Sequence, residues 1–483
     1  IASGMLILLG GHVSIGASVI ATVHLGKDVV PLPPLFSFSL LNSIHDMWTA
    51  GVYPLALLIA VFSGLWPYVK FSLLLFSWMA PPWWITEGQR GTLLNCLDIL
   101  GKWSLIDLIV LVLMMVAFRF HITSPDSWVF LPPEVLQADI IVLPNWGIFG
   151  FLLMTVMQLI VTHVIIAFHR SDVQSILNTR DENTEEKGWK TRTRRICSHP
   201  FRCGGKGGIR VEFTKLGRGL IFGLGVVSIL LILFGAWVYS FSFKFLGLAG
   251  IALGDGAETS YSLISVANAV YHDDVSSFIL WGAFLSFCLA IPLAHLIVLL
   301  VLWALPMRLN MQRNLFLAAE VLDAWGALEV FILSLLAALL EINQFAKFIV
   351  GEKCGFIEPY LKDYFSALFP SGDSECFSVG VSFSAGTFTL MAAAIVGVIM
   401  GQVFTRLSEQ ALEDMAHDEA IVEDGASEKA CGIQAAKKLA NCMIRCKLMK
   451  RNYSRESYEN GVEVEDSASA GHQPAAKSKV DLI

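Results

Sequence analysis

Eight near-continuous apolar runs, separated by polar or turn-rich stretches, organise the chain. They lie near 5–23, 52–79, 103–120, 146–168, 217–241, 276–305, 326–345 and 385–404. Each reaches the roughly 17 to 25 residues that a helix needs to cross about 30 Å of hydrocarbon. The pattern predicts an all-α polytopic membrane protein with eight transmembrane helices. The first run, Met5 to Val23, also has the length of a signal-peptide core, but its Gly and Ser content and its place at the head of a repeat favour a true span. It opens directly after Ile1, as a fragment or processed product does.

The runs are not independent, because residues 39–120 recur in order at 262–342. Pro67, Trp78 and Pro81 return 225 positions later as Pro292, Trp303 and Pro306, and Trp103 with Asp107 returns 222 positions later as Trp325 with Glu329. The change of three falls in one short polar loop. Ahead of these, Phe38-Ser39-Leu40 answers to Tyr261-Ser262-Leu263, so the landmarks keep their order over the whole unit. The expected organisation is a first four-span module at 1–170, a basic linker at 171–215, a second four-span module at 216–405 and a tail at 406–483. Four spans per module is an even number, so the two copies share one orientation and are parallel repeats.

Composition agrees with a membrane protein, with 55% hydrophobic and 16% charged residues in 483. Charge placement adds the orientation. The connection 169–216 holds eleven Lys and Arg residues, whereas the loops 24–51 and 121–145 hold only Lys27 between them. The positive-inside rule puts the linker and the tail on the cytosolic side. The apolar, proline-rich segment Val29 to Leu41, too short to cross, is expected to pack on the bundle or form a short strand.

The linker run Gly204 to Gly208 lacks the spacing of a phosphate loop and reads as flexible chain. Cys197, His199 and Cys203 are irregularly spaced for zinc, and no metal or cofactor is expected. Cys354 and Cys376 share the last outside loop, where a disulfide would close about 20 residues, worth roughly 3 kcal/mol. In the tail, Lys437 to Arg451 alternates cations with apolar residues, as a helix lying on an anionic membrane face or a solvated helix would; the last residues look disordered.

Ionisable residues within spans carry the sharpest functional signal, since an unpaired charge near the bilayer centre costs several kcal/mol. Lys70 and Asp107 in the first module have His295 and Glu329 at the matching places of the second, so a cation or base is expected to face a carboxylate twice. Pro67 and Pro292 precede Lys70 and His295 and would kink both long spans, a pattern seen near transport sites. One reading is a pair of interhelical contacts that fix register; the other is a polar network that binds a lipid headgroup or relays protons. No GxSxG, HExxH, Walker or kinase pattern is present, so no enzyme is expected.

At Phe38-Ser39-Leu40, Gly51 to Ile59 (GVYPLALLI), Trp66-Pro67-Tyr68-Val69-Lys70 and Leu97 to Leu108 (LDILGKWSLIDL), the first module resembles the paraquat-inducible protein A family; the second does so more faintly. The resemblance implies tandem four-span modules in an integral component of a lipid-transport system, working with mammalian-cell-entry (MCE) domain proteins. Lys70 and Asp107 match polar positions of the module. Bacterial members carry CxxC zinc ribbons ahead of each module; here the N-terminus is missing, the linker keeps only Cys197 and Cys203, and His295 replaces the motif lysine. The function expected is loading or moving phospholipid between membranes with a protein partner, and no nucleic acid. Two other classes stay open: a non-transporting membrane scaffold, and a proton-coupled small-solute carrier.

Overall fold

The computed structural model describes residues 2–25, 28–31, 33–34, 36–81, 83–123, 136–179, 196–198, 201–203, 209–247, 250, 257–271, 274–354, 378–424 and 449–452. The first half runs α1 (Ala2–Val13), β1 (Ala17–Leu25), β2 (Asp28–Pro31), β3 (Phe36–Phe38), α2 (Leu40–Thr49), α3 (Tyr53–Ile59), a π-helical segment Ala60–Leu65 and α4 (Trp66–Met79). It continues with α5 (Glu87–Ile99), a 3-10 turn Gly101–Leu105, α6 (Ile106–Ala117), β4 (Phe120–Thr123), β5 (Leu136–Pro144) and α7 (Trp146–Thr179). The connection holds β6 (Phe201–Cys203) and β7 (Ile209–Phe213). The second half is α8 (Lys215–Trp237), β8 (Phe241–Leu246), β9 (Glu258–Tyr261), α9 (Leu263–Val270), α10 (Val275–Leu285), a π-helical segment Ser286–Ala290 and α11 (Ile291–Ala304). Then follow α12 (Leu309–Trp325), α13 (Leu328–Cys354), β10 (Ser378–Phe383), α14 (Ala385–Asp424) and β11 (Met449–Asn452).

Among the described residues seven helices are long and apolar enough to cross a membrane: 53–79, 87–117, 146–171, 215–237, 275–304, 309–344 and 385–412. The expected first span takes another form. Ser14 to Gly16 stops α1 after 12 residues, about 18 Å at 1.5 Å per residue, and the rest of the apolar run becomes strand β1. Strands also qualify the all-α expectation, since three small antiparallel sheets accompany the helices. The boundaries near 170 and 405 fall inside α7 and α14, so neither module ends where its apolar run does. In the tail, Met449–Asn452 pairs with β7 as a strand instead of closing a helix from Lys437; 437–448 lie outside the described residues.

Both halves use the same local devices. In the long spans, the Trp66 and Ile291 amides each bond a carbonyl five residues back, at Val61 and Ser286, and Pro67 or Pro292 follows at once. A proline near the start of the next helix needs no amide partner, so it sits where the π-helical turn has already loosened the ladder. Strand β1 lies between β3 and β5 with Ala17 opposite Phe38 and Pro144; β8 lies between β9 and β10 with Phe241 opposite Tyr261 and Phe383. The entry into the last helix also matches: Asn145 N–H bonds Gly16 C=O and Gly147 N–H bonds Ile15 C=O, as Ser384 and Gly386 do with Ser240 and Tyr239. A Cβ on Gly147 or Gly386 would lie 2.8 or 2.5 Å from those backbone oxygens, which is why glycine stands at both.

These features set the level of the membrane. Sheet edges carry unpaired backbone groups and cannot lie in hydrocarbon. Exposed Trp48, Tyr53, Trp146, Trp237 and Tyr239 ring the helix ends beside the sheets, and exposed Trp78, Trp83 and Trp84 mark the opposite end. From Tyr53 to Trp78 is about 38 Å of helix, a hydrocarbon layer plus its interfaces. The halves meet through α6 and α13, and almost every residue of α6 is buried. Two polar ties reinforce the seam. The Glu341 carboxylate accepts the Leu55 N–H in the first turn of α3, and Arg119 donates to Ala269 C=O in the last turn of α9, each charge matching the helix end it meets.

Candidate functional site

Lys70 lies 17 residues past Tyr53, about 26 Å along the helix, near the edge of the hydrocarbon away from the sheets built on β1 and β8. It is completely buried, and its Nζ has no hydrogen-bond partner. Room for the ammonium comes from Gly101: a Cβ there would overlap Nζ and meet Leu159 at 2.9 Å. The carboxylate interacting with Lys70 is Asp98 on α5, and no ion pair joins Lys70 to Asp107. Asp98 Oδ1 lies 3.5 Å from His163 Nδ1 on α7, and the His163 ring stacks on Trp325 of the second half with centroids 6.4 Å apart. Asp107 is elsewhere, its amide donating to Ser63 Oγ in the π-helical segment. The Pro67 carbonyl is capped by Gln158 Nε2 at 2.9 Å.

His295 stands at the matching place in the second half and is also buried. Its Nδ1–H donates to Ala319 C=O at 3.0 Å, which leaves Nε2 as an acceptor in the neutral ring; Nε2 has no hydrogen-bond partner and lies 4.0 Å from Asp323 Oδ1. Glu329 does not face His295 as an ion pair. Its partner is Lys102 of the first half, at 3.2 Å, which also reaches the Asp323 carbonyl at 3.4 Å. A second cross-half pair joins Arg170 and Glu320 at 2.7 Å. The expected pairs Lys70–Asp107 and His295–Glu329 are thus not formed; the carboxylates that act on the two bases are Asp98 of α5 and Asp323 of α12, and neither closes a hydrogen bond with its base.

A small, half-open cleft of about 40 Å³ lies beside this second cluster. Its lining includes Pro292, His295, Asp323 and Glu329 together with the apolar Ile232, Leu296, Leu322, Leu328 and Val398. Of the six residues singled out for transport, the cleft gathers Pro292, His295 and Glu329; Pro67 and Lys70 form the first-half cluster, and Asp107 stands apart. Cys354 ends α13 and Cys376 lies outside the described residues, as does the glycine run of the linker.

Sequence reasoning missed Asp98, Asp323, Lys102 and Gln158. Asp98 and Glu320 keep the 222-residue register, a carboxylate in each half, but both fall outside the apolar runs that focused attention on spans.

Seven membrane-long apolar helices among the described residues, with polar clusters enclosed between them, define a multi-pass α-helical membrane protein. Residues 37–123 and 228–357, one region in each half, match the family described as Paraquat-inducible protein A, so both halves of the chain are similar to that family over these regions. No curated protein and no solved structure matches it.

Proposed function

We propose that this protein is an integral membrane lipid-transport component that loads or moves phospholipid between membranes with a protein partner, without catalysing a covalent reaction. The observation that carries the reading is the half-open cleft of the second half, whose lining mixes His295, Asp323 and Glu329 with the apolar Ile232, Leu296 and Val398. An amphiphile has that same mixture of chemistry. The duplicated plan supports two parallel repeats, with the basic connection and the tail on the cytosolic side by the positive-inside rule. An MCE-type partner is part of the proposal, by the family resemblance. No nucleotide-binding motif supplies energy, which leaves a gradient, the partner or passive exchange as the source.

The test is exchange of fluorescent phospholipid between vesicles and nanodiscs holding the purified protein. Wild type is expected to accelerate exchange, and Lys70→Ala or Glu329→Gln to bring the rate near background while the protein stays folded. No acceleration by wild type with its partner present would overturn the reading. The scaffold reading draws on one observation, the cross-half pairs Lys102–Glu329 and Arg170–Glu320, which pin one half to the other. Under it the same variants would impair assembly and leave no exchange to lose.

A further inference from the structure

Helices α5 and α7 run antiparallel and meet through two similar pairs of side chains. His169 Nδ1 lies 3.6 Å from Glu87 Oε2 at the start of α5, and His163 Nδ1 lies 3.5 Å from Asp98 Oδ1 about 9 Å further in along α7. Exposure falls along this line. Glu87 is exposed, Asp98 and His163 keep 15% and 18% of their side chains exposed, and Lys70 behind them keeps none. Water therefore reaches the inner pair, although no hydrogen bond closes it: Asp98 Oδ1, His163 Nε2 and Lys70 Nζ are enclosed atoms without a hydrogen-bond partner.

The second half has no such set. The backbone bonds that place α7 and α14 align the two helices 239 positions apart, from Asn145 with Ser384 and Gly147 with Gly386. Gln158 then corresponds to Gly397, and His163 to Gln402, which is exposed and does not titrate. Asp98 corresponds to Glu320, which Arg170 holds at 2.7 Å, and Lys70 to His295. An acid, an imidazole and an amine thus come together once in the chain.

The charges around Asp98 leave a place for one proton. Lys70 acts on it from α4, Arg170 from α7, and Glu320 and Asp323 from α12. Arg170 and Glu320 neutralise one another, Asp323 is more than half exposed, and Lys102 in the turn after α5 is engaged by Glu329. Asp98 is therefore the charge that balances Lys70, and with a neutral His163 the set carries no net charge. A proton delivered by hydronium, past Glu87 and His169, settles between Asp98 Oδ1 and His163 Nδ1 and closes their gap as a hydrogen bond; the hydronium leaves as water and no other bond breaks. Lys70 then loses its countercharge, and an enclosed unpaired ammonium is costly. Proton uptake and the present seat of Lys70 exclude one another, as the two states of an ion-coupled device must. We infer that Asp98 and His163 share one exchangeable proton, in the first half only, and that this proton is the coupling ion of lipid movement. The coupling role rests on the lipid-transport reading; the proton site does not.

Infrared difference spectra of the full chain in nanodiscs, taken between neutral and acid pH, test the site without any transport. A protonated-carboxyl band is expected that shifts when aspartate is isotope-labelled at its carboxyl carbon. Asp98→Asn, nearly isosteric, should remove that band, His163→Gln should displace it, and Glu320→Gln, at the matching place of the second half, should leave it unchanged. Labelling needs no substitution, so a variant that fails to fold does not protect the inference. No aspartate-sensitive band in wild type, only bands that survive Asp98→Asn, or a band indifferent to His163→Gln would overturn it. In the phospholipid exchange assay, the wild-type rate should change by up to about tenfold per pH unit over the same titration, the limit for one proton, and His163→Gln should lose that dependence. Wild-type exchange that ignores pH would overturn the coupling role. If wild type exchanges no lipid while the Asp98 band is present, the transport reading fails and the proton site stands.

Discussion

A single buried amine sets the test at the scale of residues. Lys70 has no hydrogen-bond partner, so the fold gains little from its charge, and an apolar side chain of similar length would fit the same tunnel beside Gly101. Replacing a buried charge together with its partner by neutral groups is commonly neutral or stabilising, whereas removing one alone strands the other. Lys70→Met with Asp98→Asn is therefore expected to keep or raise the thermal midpoint in detergent while losing phospholipid exchange; a fall in both would make the two charges structural. Glycines differ just as sharply by position. At Gly386 a methyl group would press on backbone oxygens of Tyr239 and Val238, neither of which can rotate away. Gly386→Ala should cost about 1 to 3 kcal/mol in denaturant unfolding, whereas Gly223→Ala, with nothing within 4 Å of its new carbon, should be neutral or stabilising.

Among elements, the paired π-helical segments matter most, because each ends at the proline that precedes a buried base. Beyond the segment, Gln158 from α7 adds a side-chain hydrogen bond to the Pro67 carbonyl in the first turn of α4. Gln158→Leu would remove that added bond, for a loss of about 0.5 to 1.5 kcal/mol in the same unfolding measurement.

Much of this was legible before any coordinates. The 225-residue register of Pro67 with Pro292 places Lys70 opposite His295, and both emerge at equivalent points past a π-helical turn. The run Met5 to Val23 misled because an apolar strand in a sheet and an apolar helix in lipid use the same residues; Ser14-Ile15-Gly16 was the only break. The cleft itself was illegible for a different reason. Empty space is made by what a residue lacks, and Ala393, Ala394 and Gly397 look like ordinary helix packing until Met154, Thr155 and Gln158 are set beside them.

For the whole molecule, the seam between the halves carries the ion pairs. Arg170–Glu320 is partly exposed, and breaking it with Arg170→Gln should change stability by no more than about 1 kcal/mol. Lys102 is mostly buried and holds a carboxylate that borders the cleft. Lys102→Met is expected to destabilise by a few kcal/mol by stranding Glu329, and Lys102→Met with Glu329→Gln to recover much of that loss in a double-mutant cycle.

The joining of two related halves in one polypeptide has a further consequence. Two identical subunits about a twofold axis must present two identical sets of side chains, so a substitution that removes one removes both. A fused pair escapes that constraint. His163 is free to stay beside Asp98 while Gln402 stands at the matching place, so such a site occurs once per molecule, an odd stoichiometry closed to a symmetric dimer.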